Sequence, residues 1–149
     1  MQIAFGNDHA AAEMRDALVG FLREQGHEVM DLGWKGKESV DYPDFARTVA
    51  EKVARGEAER GVLICGSGIG MAIAANKVRG IRAAVGTDLH EAEYMRRHND
   101  VNVIALRARE QTLERNREIL KVWLETPFEG GRHAKRVAKI TAMDEDKAK

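Results

Sequence analysis

A lone cysteine beside a run of glycines is the part of this sequence best suited to chemistry. The segment 61–72 reads Gly-Val-Leu-Ile-Cys-Gly-Ser-Gly-Ile-Gly-Met-Ala. Its apolar start predicts a strand buried on both faces that ends at Cys65, and good helix formers resume at Met71. The glycines between them predict a tight turn, whose unpaired backbone N–H groups and following helix N-terminus favour negative charge. These glycines are Gly66, Gly68 and Gly70.

The thiol of Cys65 is expected to face this turn. A thiol near a helix N-terminus has its thiolate stabilised, which would make Cys65 a better base or nucleophile. A base beside an anion-binding turn suits proton transfer next to a carbonyl, and that chemistry needs no cofactor. A buried structural cysteine, with glycines that only permit the turn, is the competing interpretation. A redox role has less support because the chain contains one cysteine and so no partner thiol.

The same glycines leave a nucleotide-binding regulatory module open as an alternative from another class. The pattern is G-x-G-x-G and follows the third predicted strand, and Asp88 near the end of the next strand could contact a ribose. No Gly-Lys-Ser/Thr follows the glycines, so a nucleotide P-loop is excluded.

Histidines and arginines elsewhere could complete a site. His9 and His98 could carry protons near neutral pH. Arg132 and Arg136 are four residues apart on a predicted helix, where they could bind a phosphate together. Ordinary surface histidines and a solvated basic helix face are the alternatives. No histidine pair at i, i+4 with a carboxylate and no cysteine cluster is present, so we expect no metal site.

Alternating strands and helices are predicted to position these residues. Strands are expected at 2–5, 28–32, 62–65, 81–85 and 101–106, and each is followed by a helical pattern; a last helix is expected at 132–143 and a frayed tail at 144–149. The pattern predicts a three-layer α/β/α, Rossmann-like domain with a five-stranded parallel sheet, right-handed crossovers and a C-terminal helix. Ligands of such folds bind at the carboxyl ends of the strands. His98 and Asn99 precede a strand, so topology alone does not place them there.

Length and charge narrow the class of protein. The chain has 149 residues, 44% of them apolar, which predicts a single domain over 1–149 with a substantial core. Lys plus Arg and Asp plus Glu both number 24, which argues against a nucleic-acid or anionic-membrane surface. Neither a signal peptide nor a membrane-spanning apolar run is visible, so a cytoplasmic protein is expected.

Short motifs in order along nearly the whole chain resemble one family of sugar-phosphate isomerases. That family includes ribose-5-phosphate isomerase B and the allose-6-phosphate and galactose-6-phosphate isomerases. Each motif alone is weak, but their order and spacing together are specific. The motifs are Gly-Asn-Asp-His at 6–9, Val-Asp-Tyr-Pro at 40–43, Ile-Cys-Gly-Ser-Gly-Ile-Gly at 64–70, Ala-Ala-Asn-Lys at 74–77, Gly-Ile-Arg-Ala at 80–83, His-Asn-Asp at 98–100 and Glu-Gly-Gly-Arg-His at 129–133.

The resemblance implies an aldose–ketose isomerase that works through an enediolate and needs no cofactor. Its expected substrates are ribose 5-phosphate and ribulose 5-phosphate, with a hexose 6-phosphate (allose or galactose) as the alternative. By similarity, Cys65 moves the proton between C2 and C1, and the backbone amides of 66–70 hold the enediolate oxygen. Ser67 assists at the sugar hydroxyls, and His98 helps to open the furanose ring.

The resemblance also implies the remaining contacts. Asp8 and Tyr42 would contact the sugar, and Asn99 would lie near the reacting oxygens. The expected phosphate ligands are His9, Arg109, Arg132 and Arg136. The family builds its site between two subunits, so a homodimer or a tetramer of dimers is implied. His98 and the C-terminal arginines could then come from the neighbouring chain.

Overall fold

Five parallel strands form one twisted sheet in the computed structural model, which describes the backbone of residues 1–148 and the side chains up to 146. The strands are β1 (Gln2–Asn7), β2 (Glu28–Asp31), β3 (Arg60–Cys65), β4 (Ala83–Val85) and β5 (Val103–Arg107). Their order across the sheet is β2-β1-β3-β5-β4, and every neighbouring pair is parallel. β3 is therefore the central strand, and its carboxyl end carries Cys65.

Helices cover both faces of this sheet. They are α1 (Ala12–Glu24), α2 (Tyr42–Ala54), α3 (Ile69–Ala75), α4 (Leu89–Arg97), α5 (Leu113–Glu125) and α6 (Arg132–Ala142). Helices α1, α4 and α5 pack in one apolar cluster, and α2 and α3 pack in the other. The three-layer α/β/α fold with a parallel five-stranded sheet is confirmed.

The central strand is buried on both faces because its side chains alternate between the two clusters. Val62 and Ile64 belong to the cluster under α1, α4 and α5, whereas Leu63 and Cys65 belong to the cluster under α2 and α3. Full burial of each large aliphatic side chain stabilises the fold by roughly 1.5–3 kcal/mol. The sheet can therefore hold Cys65 at a fixed position.

The predicted starts of β4 and β5 were wrong because a side chain pairs with backbone groups next to these strands. The Asn102 side chain bonds to backbone groups that longer strands would pair with each other. Its Oδ1 accepts from Arg82 N at 2.8 Å, and its Nδ2 donates to Gly80 O at 2.9 Å. β4 and β5 therefore begin two residues later than predicted. Helix α5 begins at Leu113, where Thr112 Oγ1 caps it by accepting from Arg115 N at 3.1 Å.

The predicted frayed tail was also wrong over the described residues. Met143–Ala148 forms a 3-10 helix, and Asp144 Oδ2 accepts a hydrogen bond from Gly80 N at 2.7 Å. Lys149 lies outside the described residues. Within residues 1–148, no helix combines the length and the apolar character that crossing a membrane requires.

Candidate active site

A cleft of about 500 Å³ opens at the carboxyl ends of β1 and β3. In folds with a parallel sheet, ligands bind at this edge, outside the carboxyl ends of the strands. Most of the side chains and backbone predicted to form a site lie around it. The predicted residues that line it are Asp8, His9, Tyr42, Cys65, Gly66, Ser67, Gly70 and Arg109.

Cys65 lies at the base of this cleft with 5% of its surface exposed. Its Sγ accepts a hydrogen bond from Gly68 N at 3.3 Å. Burial raises the pKa of the thiol, and the N–H groups of Gly68, Met71 and Ser67 oppose that rise without cancelling it. The expectation of a thiolate stabilised overall by the helix N-terminus is therefore corrected, since desolvation of the charged form outweighs the amide hydrogen bonds.

The glycine turn has two positions that a larger residue would disturb. Gly68 has φ +78°, and a Cβ there would lie 3.0 Å from Leu106 O. A Cβ on Gly70 would lie 2.3 Å from Cζ of Tyr42, so the Tyr42 ring packs directly over the turn. The glycines thus provide both the left-handed backbone and the room for an aromatic wall of the cleft.

Part of the hydrogen-bonding capacity of the backbone amides in this turn is used inside the chain. Gly68 N donates to the Cys65 sulfur, and Ile69 N donates to Ser67 Oγ at 3.3 Å. Arg109 lies beside the turn, because its backbone N–H donates to Gly66 O at 3.0 Å. The turn therefore holds a cation and the candidate base at one end of the cleft.

Asp8 and His9 follow β1 directly, and local hydrogen bonds fix both. The Asp8 Oδ1 atom accepts from Ala10 N at 3.0 Å, as expected for a helix cap. His9 Nδ1 lies 3.1 Å from the backbone N–H of Val40. Because that N–H can only donate, Nδ1 accepts, and a neutral His9 carries its proton on Nε2. His9 therefore offers the cleft an N–H donor.

A buried network behind Asp8 was missed by the sequence analysis. Asn7 is fully buried; its Nδ2 donates to Asp8 O at 3.0 Å, and its Oδ1 accepts from Arg15 Nε at 3.1 Å. Arg15, 6% exposed, also pairs with Asp31. Burial acts to raise the pKa of Asp31, but hydrogen bonds from Arg15 and from Gly33 N hold it below its usual range. The sequence feature that could have indicated this network is Arg15, which falls on the apolar stripe of α1.

Five predicted site residues do not line the cleft. Gly68 belongs to the glycine turn, where its N–H donates to Cys65 Sγ, and the other four lie outside that turn. Arg132 and Arg136 are exposed on α6, as four-residue spacing on one helix allows. Asn99 is exposed and lines a separate cavity with Arg82 and Ile140. His98, just after α4, stacks on His133 instead. One chain therefore presents two groups of predicted site residues: the cleft and a second group made of His98, Asn99, Arg132 and Arg136.

His98 of the second group also belongs to a cluster of possible metal ligands that no sequence motif predicts. Potential ligand atoms of His98, Glu129 and His133 lie within 4.8 Å of one another. The two imidazole rings are nearly parallel, however, with an interplanar angle of 13°. Ring-nitrogen lone pairs lie in the ring plane, so stacked rings cannot both direct one at the same ion. Glu129 is also paired with Arg97, at 3.2 Å between Oε2 and Nη2. This arrangement does not fit a metal ion.

Known proteins match this sequence over nearly its whole length. The profile of the ribose/galactose isomerase family matches residues 3–140. Ribose-5-phosphate isomerase B of Escherichia coli is 46% identical over 144 residues, which cover 97% of each chain. D-erythrulose-4-phosphate isomerase of Pectobacterium atrosepticum is 43% identical over 141 residues, covering 94% of this chain and 93% of that protein.

Solved structures agree with the sequence comparison. The structure of Clostridium thermocellum ribose-5-phosphate isomerase B is 48% identical and superposes with a TM-score of 0.95, covering 98% of this chain and 99% of the other. The resemblance read from the motifs and the assignment to the isomerase class are confirmed. The chain belongs to the ribose/galactose isomerase family.

Proposed function

We propose that this chain interconverts ribose 5-phosphate and ribulose 5-phosphate through an enediolate, with Cys65 as the proton carrier. The observation that carries the proposal is the buried thiol at the base of a cleft that also holds His9 and Arg109. Near full-length identity of 46% and 48% to two ribose-5-phosphate isomerases supports this substrate. The 43% identity to D-erythrulose-4-phosphate isomerase favours a tetrose 4-phosphate as the second candidate.

In the proposed reaction the Cys65 thiolate removes the proton from C2 of the open-chain aldose. The electron pair forms a C1–C2 double bond, and negative charge develops on O1. The proton on O2 passes to O1, the Cys65 thiol returns its proton to C1, and O2 becomes the ketose carbonyl. Turn amides from Gly66 to Gly70 stabilise the charge on oxygen. No electron leaves the substrate, so the step needs no redox partner.

The rest of the cleft would bind the substrate. The Nε2–H of His9 and the guanidinium of Arg109 are suited to the phosphate, since both are donors on the cleft wall. Asp8 and Tyr42 are suited to the sugar hydroxyls, and Ser67 presents a hydroxyl at the turn.

We infer that a second copy of this chain completes the site. Four residues to which the family resemblance assigns ring opening and substrate binding lie outside the cleft of their own chain: His98, Asn99, Arg132 and Arg136. Ile69 and Ile73 at the edge of the cleft are 56% and 57% exposed, which provides an apolar surface for that copy. A homodimer satisfies this requirement, and a tetramer of dimers would keep the same shared sites.

Proton NMR in heavy water tests the proposal directly. The protein is mixed in turn with ribose 5-phosphate, erythrose 4-phosphate, allose 6-phosphate and galactose 6-phosphate. We expect the pentose to react fastest, with solvent deuterium at C1 of the ketose. Cys65→Ala should lose nearly all turnover while still binding substrate, whereas Gly20→Ala, on α1, serves as a matched control. Normal turnover of Cys65→Ala would refute the mechanism. Faster reaction of a hexose or tetrose phosphate would identify that sugar phosphate, and not ribose 5-phosphate, as the substrate.

A further inference from the structure

A column of four aromatic rings includes His98. His90, Tyr94 and His98 are spaced by four residues along and just beyond α4, so they share one face of that helix. The Tyr94 and His98 ring centroids are 4.6 Å apart, with an interplanar angle of 21°. His133 from α6 covers the opposite face of His98 at 4.2 Å. His98 therefore lies between two parallel rings contributed by two different helices.

The stack occupies the faces of the His98 ring and leaves its edge accessible. The His98 side chain remains 31% exposed. Its Nε2 atom lies 4.0 Å from Glu129 Oε2, which is too long for a hydrogen bond. Imidazole transfers protons through the nitrogens at its edge and not through its faces. The stack thus restricts rotation of the ring without occupying the atom that would react.

His133 is an unusual residue to bury in this position. It is 6% exposed, and its Nε2 atom is buried without a hydrogen-bond partner among the described residues. A buried polar atom without a partner destabilises a fold, so an ordinary packing position would favour an apolar side chain. Burial, followed by the nearby His98 and Arg132, lowers the pKa of His133.

We propose that Tyr94 and His133 are positioning residues for opening of the sugar ring, which hold the plane of His98 so that its edge meets the furanose oxygen. The inference rests on the proposed function. In that step the proton on the O1 hydroxyl is transferred, through His98, to ring oxygen O4. The C1–O4 bond breaks and the C1–O1 carbonyl forms, so protons and electrons balance within the substrate.

The test separates ring opening from proton transfer at carbon. The furanose ring of ribose 5-phosphate must open before it can react. Ribulose 5-phosphate has no free hydroxyl that can close a furanose, so the C1 hydrogen of this ketose exchanges with heavy water through Cys65 alone. Tyr94→Ala and His133→Ala should lower turnover of ribose 5-phosphate by about 10- to 100-fold. Exchange into ribulose 5-phosphate should stay within about 2-fold in both variants, since the cleft is unchanged.

Variants that keep a flat ring provide the control. Tyr94→Phe and His133→Phe should restore turnover of ribose 5-phosphate, because either ring still covers a face of His98. His90→Ala should have no effect, since His90 meets Tyr94 in a T-shaped arrangement, at 4.2 Å between centroids, and does not stack on His98. Equal losses in isomerisation and exchange, or no rescue by phenylalanine, would overturn the proposal.

A measurement without substrate keeps this inference separate from the proposed function. With ¹³C-labelled histidine, the ring protons of His98 should be shifted upfield by its two neighbours. The shift should decrease in Tyr94→Ala and His133→Ala and persist in both phenylalanine variants. Unchanged His98 signals in the alanine variants would refute the stack itself. If the wild-type protein neither isomerises nor exchanges either sugar, the proposed function fails and the role in ring opening fails with it.

Discussion

Gly70→Ala is expected to separate stability from substrate binding. Gly70 lies in the first turn of α3 with an ordinary backbone conformation, so alanine should favour the helix by up to about 1 kcal/mol. The new Cβ, however, would lie 2.3 Å from Cζ and 2.5 Å from the hydroxyl oxygen of Tyr42. Tyr42 is 39% exposed, so its ring can swing away and the fold need not distort. The free energy of unfolding should then stay within about 1 kcal/mol of wild type.

The displaced Tyr42 ring should cost affinity for the sugar. Loss of one neutral hydrogen bond corresponds to about 0.5–1.5 kcal/mol, which is a rise in KM of roughly 2- to 10-fold. Urea unfolding gives the stability, and steady-state isomerisation of ribose 5-phosphate gives KM. Gly20→Ala is the matched control, because a Cβ on Gly20 meets nothing within 4 Å. It should favour the helix by about 0.5–1 kcal/mol with KM unchanged.

A double-mutant cycle decides whether Tyr42 carries the effect. In a Tyr42→Ala background no ring remains to be displaced, so Gly70→Ala should leave KM unchanged and only stabilise α3. If the rise in KM persists in that background, the added methyl acts on the substrate directly. That result would refute the assignment of Tyr42 as the wall of the cleft that contacts the sugar.

Three further outcomes are expected. First, kcat/KM should increase by up to about 10-fold per pH unit between pH 6 and pH 8. Burial raises the pKa of the Cys65 thiol, and the proposed reaction needs the thiolate, whose fraction grows with pH below that pKa. A flat pH profile would exclude a thiolate base. Second, Arg136→Ala should weaken phosphate binding by about 1.5–3 kcal/mol with unfolding unchanged, as measured by KM and urea titration; an unaltered KM would assign Arg136 to the solvated helix face. Third, mixing the inactive Cys65→Ala and His98→Ala proteins should restore about one quarter of wild-type turnover. Half of the dimers then contain both variants, and one of the two shared sites in each of these dimers is intact. Continued inactivity after verified subunit exchange would contradict sharing of the site between subunits.

Local patterns explain why much of the fold was predictable. Asp8 and Asp88 cap the helices that follow them, and aspartate directly after a strand is a residue type that favours such a cap. The alternation of strands and helices was enough to predict the layers and the cleft edge. The starts of β4 and β5 were not predictable, because Asn102 replaces ladder hydrogen bonds by side-chain bonds across a distance in sequence.

The site was predicted less completely because its properties depend on packing. The spacing of Cys65 and the glycines predicted the turn, but the direction of the thiol pKa depends on burial under α2 and α3. Arg15 was missed because a charged residue on an apolar stripe has meaning only when Asn7 and Asp31 are beside it. The contact between His98 and His133 joins two helices that no sequence spacing relates.

The hydrogen bond between Val40 and His9 links the substrate site to a segment that does not touch it. His9 accepts from Val40 N–H through Nδ1 and would donate to phosphate through Nε2, so one ring lies in the middle of a chain of hydrogen bonds. Bonds in such chains polarise one another. An occupied phosphate position therefore makes Nδ1 a stronger acceptor and holds the segment between β2 and α2 more firmly. Slower hydrogen exchange at the Val40 amide would then report phosphate occupancy from outside the cleft.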